Sequence, residues 1–335
     1  MNASVDKSYE KGDKVKKRLH GIFIPAVITL LLLEVVCRGL VYWSTPEGLR
    51  FDKELMYTGE PNSPLFREVM NDIGCIGPNW QEEKKAGEKR VLLLGGSTSF
   101  SKGYPAYLQA SLTNLHPGMD FTVVSCGKPR YTSYINKVNF EDNLLQYNPD
   151  IVVLYMGIND AIYNSFPWLN AKPEVGYFNW KSLSRWISYD LFKYHLVDKV
   201  LRSQPEFSDG EIRSKAIIME NVREIIEIAQ SNSVEVVLSD FALGYPTGDT
   251  ALKSKIMQME PTMKHFWGSV ASTKYAVKMH NSVMEQLAAE YRLPVARVAA
   301  SIPQNSEYFV DICHMTDKGK RLLAKEISKV IPLND

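Results

Sequence analysis

The sequence predicts an α/β protein built on a parallel sheet and preceded by one membrane-spanning helix. Apolar runs recur between residues 91 and 298, helical patterns alternate with them, and a basic amino terminus leads directly into an apolar segment. Strands alternating with helices give a parallel sheet covered on both faces. The 335 residues suffice for one large domain with an appendage, and 45% hydrophobic content excludes disorder throughout. A net charge of +1 gives no reason to expect nucleic acid as a partner.

The first twenty residues hold Lys7, Lys11, Lys14, Lys16, Lys17 and Arg18, and an apolar run from Gly21 to Leu33 follows. Continued past Glu34 and Arg38 to Trp43, the segment is long enough to span a bilayer. Glu34 and Arg38 are four apart, so on a helix they share a face and can pair. Tyr42 and Trp43 suit an interfacial belt. A cleaved signal peptide is the competing reading, but no A-x-A site follows, and Cys37 lacks the small-residue setting of a lipoprotein signal. The expectation is a cytoplasmic basic tail over 1–20 and a single-pass anchor over 21–43. Positive-inside logic then places the rest outside the cytoplasm, in a periplasmic or cell-surface domain.

Residues 44–90 read as a connector packing on that domain, with "NDIGCIGPNW" its ordered part. Strands are expected at "VLLLG" (91–95), "FTVVS" (121–125), "IVVLYMG" (151–157), "VEVVLS" (234–239) and "PVARV" (294–298). Helical patterns fall at 104–115, 132–147, 211–231, 268–291 and 317–330. The gap after the third strand implies an insertion over about 161–208, rich in aromatics between Phe166 and His195. It reads as a lid or substrate wall, or as helices packing on their own.

Ser97 follows Gly95-Gly96 where the first strand ends, and ligands bind at the carboxyl edge of open parallel sheets. The competing role for it is a helix cap. Gly127 follows the second strand, Gly157, Asn159 and Asp160 follow the third, and "DICH" puts Asp311 and His314 on a loop before the last helix. A serine hydroxyl needs a base, an imidazole serves near neutral pH, and a carboxylate fixes its tautomer. A loop N–H and an asparagine amide can hold an oxyanion. Asp160 and Asp240 read as turn formers or caps, and His20, His116, His195, His265 and His280 as incidental surface or core residues. No Cys/His spacing suggests zinc. Because Cys126 and Cys313 adjoin Gly127 and His314, a Cys126–Cys313 disulfide is expected, with Cys75 the rival partner and two free buried thiols the alternative.

The set "GGST", "CGKPRYTS", "GIND" and "DICH" resembles the sequence blocks of the SGNH, or GDSL-like, hydrolases, over about residues 88–330. The resemblance implies a three-layer flavodoxin-like fold with Ser97 as nucleophile and Asp311 and His314 completing a triad. It also implies an oxyanion hole from Ser97, Gly127 and Asn159, and no metal or cofactor. Block one departs from the family pattern in reading Gly-Gly-Ser, and block two in carrying Cys126 where asparagine often stands. An α/β-hydrolase elbow would need G-x-S-x-G, and a phosphate loop G-K-[ST]; neither is present. The expected function is an anchored serine esterase acting on an acylated envelope glycan, lipid or secreted polysaccharide. The alternatives are an O-acyltransferase with the same triad and a non-catalytic scaffold in an export complex.

Overall fold

In the computed structural model, residues 3–52, 55–66, 68–80, 83–163, 188, 213–245, 248–267 and 270–333 are described. The chain divides into two units, Met1–Thr45 with Val175–Arg202, and Pro46–Glu174 with Ser203–Asp335.

In the first unit, helix α1 (Ala3–Ser44) runs unbroken through Pro25. Its stretch Phe23–Ser44 is long and apolar enough to cross a membrane, about 33 Å at 1.5 Å per residue. The two charges inside it are paired, Arg38 to Glu34 at 2.8 Å, as the i,i+4 spacing predicts. Glu34 also accepts hydrogen bonds from the N–H and hydroxyl of Ser188.

The second unit opens with two antiparallel hairpins, β1 (Leu49–Asp52) with β2 (Met56–Gly59) and β3 (Pro64–Leu65) with β4 (Glu68–Val69). Within the stretch read as a connector packing on the domain, the chain thus pairs with itself. Beyond it come β5 (Glu88–Gly95), α2 (Gly103–Leu115), β6 (Asp120–Ser125), α3 (Ser133–Asn139), β7 (Ile151–Tyr155) and α4 (Ile158–Tyr163). The pattern read as one helix over 132–147 changes pitch after Asn139, passing through a π turn and then a 3-10 turn. Next are α5 (Arg213–Ser231), β8 (Glu235–Ser239), α6 (Thr250–Trp267), α7 (Val270–Tyr291), β9 (Val295–Ala296), α8 (Val298–Ser301) and α9 (Asp317–Ser328). Helix α6 had no counterpart in the sequence pattern. The inferred insertion, with Trp168, Trp180 and His195, lies outside the described residues apart from its first residues, Ala161 to Tyr163, and Ser188.

Five strands form one parallel sheet in the order β6-β5-β7-β8-β9. Val91 to Leu94 and Ile151 to Tyr155 are wholly buried, as strands covered on both faces must be. Leu92, Leu94, Val152, Leu154, Val236 and Leu238 pack against Ile218, Val222, Ile225 and Ile226 of α5 and Val283, Met284 and Leu287 of α7. Helices α2 and α9 pack together as the opposite layer. At about 25 cal/mol per Å² of apolar surface removed from water, this double burial is the main stabilising term of the fold.

The order decides where the site forms. From β5 the chain moves to one side for β6 and then crosses to the other side of β5 for β7, so the crevice past their carboxyl ends opens at this reversal. Register makes it specific: Gly95 sits opposite Tyr155, and Leu93 opposite Ser125. The residues just past each strand therefore emerge together.

Candidate active site

The β5 turn is held by backbone and side chain together. Asn136, on α3, accepts from the Gly95 N–H and donates to the Gly95 carbonyl, while Ser99 N–H and Phe100 N–H close back on Gly96 and Ser97. Helix α2 begins only at Gly103, so Ser97 does not cap it. Its hydroxyl instead lies 2.8 Å from His314 Nε2.

His314 sits on a tight loop before α9, closed by the Val310 N–H on the His314 carbonyl. Asp311 is fixed within that loop, its Oδ1 accepting from the N–H groups of Cys313 and His314. Its Oδ2 is left facing His314 Nδ1 at 2.7 Å. Serine, imidazole and carboxylate form one hydrogen-bonded line. Ser97 and His314, 217 apart in sequence, meet because β5 and the loop before α9 end at the same edge.

Burial alone would raise the Asp311 carboxyl, but hydrogen bonds from the His314 side chain and from the loop N–H groups outweigh it and hold the group below the usual carboxylate range. The Cys313 sulfur beside the ring, and then Asp311, lift His314 above the ordinary imidazole range, against a burial effect that lowers it. Burial pushes the Cys313 thiol up as well, so near neutral pH it is an uncharged thiol and Asp311 is the lasting charge beside the ring.

The other predicted residues converge on the same point. A Cβ on Gly96 would stand 2.5 Å from Asn159 Nδ2, so only glycine lets the amide approach the backbone next to Ser97. Asn159 donates one amide hydrogen to the Tyr131 carbonyl at 2.9 Å, and among the described residues its second has no acceptor. Gly127 presses on Gly95 so closely that a Cβ would stand 2.9 Å from its carbonyl. Among the described residues, neither the Ser97 N–H nor the Gly127 N–H has an acceptor.

Several residues here escaped the sequence reading. His280, taken as incidental, is wholly buried on α7, with Nδ1 2.8 Å from the Gly157 carbonyl and Nε2 2.9 Å from Ser214 Oγ. Burial holds it at about 4, so it is a neutral ring, donating from Nδ1 and accepting from Ser214. Lys128, next to Gly127, is fully buried against the Tyr131 ring, and desolvation, then Arg50, push it down to about 7. Asp160 and Asp240 do act as caps: the first accepts from Ser133 N–H at the start of α3, the second from Ala299 N–H in α8.

The disulfide differs from the expected pairing. Cys126 bonds Cys75, with Cα atoms 4.6 Å apart, and Cys313 is free. The reason is local: Ile76 bridges Ser125 along the open edge of β6, which sets the two preceding and following cysteines side by side. Cys313 sits across the crevice against His314 at 3.5 Å.

A serine hydroxyl on an imidazole backed by a carboxylate, at the switch point of a doubly wound sheet, is the arrangement of a serine hydrolase. The model of the GDSL-like lipase/acylhydrolase family matches residues 93–322, and the chain belongs to that family. No curated protein matches the sequence. Among solved structures, a GDSL-like lipase from Bacteroides thetaiotaomicron is 14% identical, with 72% of this chain and 86% of that one covered and a TM-score of 0.43. An acetylxylan esterase from Geobacillus stearothermophilus is 16% identical, covering 73% and 95% of the two chains with a TM-score of 0.45.

Proposed function

We propose that this serine esterase is a membrane-anchored, extracytoplasmic acyl or acetyl esterase in which Ser97 is the nucleophile. The observation that carries the roles is the unbroken line from Ser97 Oγ through the His314 ring to Asp311. Ser97 Oγ attacks the ester carbonyl while His314 Nε2 takes its proton, and Asp311 stabilises the imidazolium. The developing oxyanion is held by the N–H groups of Ser97 and Gly127 and by the spare amide hydrogen of Asn159, each worth about 3 kcal/mol. His314 then protonates the departing alcohol. Water, deprotonated by the same ring, releases the acid from Ser97.

Location is argued from three features. The basic tail precedes the apolar stretch Phe23–Ser44, the positive-inside rule orients it, and the Cys75–Cys126 disulfide suits an oxidising compartment. A domain held beside a membrane meets acylated envelope glycans, lipids or secreted polysaccharides as its natural substrates.

The test uses the full chain in detergent. Fluorophosphonate is expected to label Ser97, and nitrophenyl esters of graded chain length to be cleaved with a preference that sets the acyl class. Turnover by Ser97→Ala at the wild-type rate would reject the assignment. Acetyl groups appearing mainly on an added envelope glycan rather than as free acid would replace hydrolysis by transfer. A mature chain starting beyond Trp43 would remove the anchor.

A further inference from the structure

The loop that presents His314 also presents a thiol that hydrolysis does not use. Cys313 Sγ, His314 Nδ1 and the Asp311 carboxylate lie within 4.8 Å of one another on four consecutive residues. Sγ stands 3.5 Å from Nδ1, and Nδ1 stands 2.7 Å from Oδ2. Thiolate, imidazole and carboxylate are the donors zinc takes, at bonds of about 2.0–2.3 Å, which places neighbouring tetrahedral ligands roughly 3.3–3.7 Å apart. The sulfur–nitrogen distance already fits. Asp311 is anchored through Oδ1 by the Cys313 and His314 N–H groups. Its Oδ2 can therefore turn from the ring to a cation without freeing the loop.

We propose that this D-x-C-H loop is an inhibitory site for a thiophilic divalent cation, zinc or cadmium, bound by Cys313 Sγ, His314 Nδ1 and Asp311 Oδ2. The inhibition follows from the tautomer. In the catalytically active form Nδ1 carries the proton, donated to Asp311, and Nε2 is the free base facing Ser97. A cation on Nδ1 moves that ring proton to Nε2, and Ser97 then has no acceptor. The thiol gives up its proton to solvent, so one proton is released per cation bound. Water completes the coordination. The inhibition rests on the esterase reading; the binding does not.

Binding is tested in the full chain carrying Cys37→Ser and Ser97→Ala, where Cys313 is the one free thiol because Cys75 and Cys126 are bonded. Cadmium is expected to give a thiolate-to-metal charge-transfer band at one equivalent, absent once Cys313→Ser is added. Inhibition is tested in Cys37→Ser and in Cys37→Ser with Cys313→Ser, each against its own metal-free rate. The zinc concentration that halves turnover is expected to rise about tenfold or more without the thiol. No band, a band that survives Cys313→Ser, or equal zinc sensitivity of the two active chains overturns the proposal. A band in a chain whose Ser97 parent cleaves no ester would remove the esterase reading and leave the cation site standing.

Discussion

His280 holds Gly157: its Nδ1 donates to the Gly157 carbonyl at 2.8 Å, while Ser214, at the beginning of α5, donates to the other nitrogen. Gly157 opens the turn that carries Asn159, so a buried ring on α7 sets the height of the proposed oxyanion donor. His280→Asn keeps a donor near the Nδ1 position and is expected to retain most turnover. His280→Leu removes it and is expected to lower kcat about tenfold with KM little changed, part of the 10²–10³ cost of losing a whole donor. Equal loss of kcat in both variants, or a change in KM alone, would show that the ring only fills space.

Ser97→Ala and His314→Ala are each expected to reduce ester turnover by about 10³-fold or more, and Asp311→Asn by a similar or smaller factor, since the three act as a unit. Circular dichroism should find all three folded, because Ser97→Ala and Asp311→Asn remove little volume and the His314 side chain is partly exposed. The double variant Ser97→Ala/His314→Ala should lose no more than either alone.

Activity should rise with pH along a limb set by His314. The ring must be neutral to act, and its partners raise it above 6.5, so the limb of kcat/KM is expected above that value. In Asp311→Asn the residual activity should titrate lower, because the carboxylate that favours the charged ring is gone. A limb at or below 6.5 in the wild type would contradict this electrostatic picture.

Lys128 costs stability. Its folded value of about 7 lies below the ordinary 10.5, so burial of the charged form is fully unfavourable below about 7 and relieved as pH rises toward 10.5. Lys128→Met is expected to raise stability at pH 7 by on the order of a few kcal/mol, and to flatten the rise between pH 7 and 10. Urea melts at pH 6, 8 and 10 would measure both.

The Cys75–Cys126 bond closes a loop of 51 residues, for which chain entropy gives about 4 kcal/mol. Cys75→Ser is expected to lower the melting temperature and, because Gly127 follows Cys126, to depress kcat. Unchanged stability after reduction would show that the strap along β6 holds without it.

The sequence by itself determined the five strands of the parallel sheet, most of the helices flanking them and the chemistry-bearing residues. Buried parallel strands read as continuous apolar runs, and the glycines after "VLLLG", "FTVVSC" and "IVVLYM" mark their carboxyl ends. Ser97, Asn159, Asp311 and His314 were legible because each follows such a break or precedes the last helix at a spacing a turn can close. The sequence did not reveal strand order, since no local pattern says which runs pair; register across β5, β6 and β7 placed these residues together. Tertiary packing also chose Cys75 over Cys313 for Cys126. It moved His280 and Asn136 from anonymous helical positions to the backs of two site loops. Both residues serve through contacts 41 to 123 positions away, and a hydrogen bond across that distance exists only once the sheet has folded.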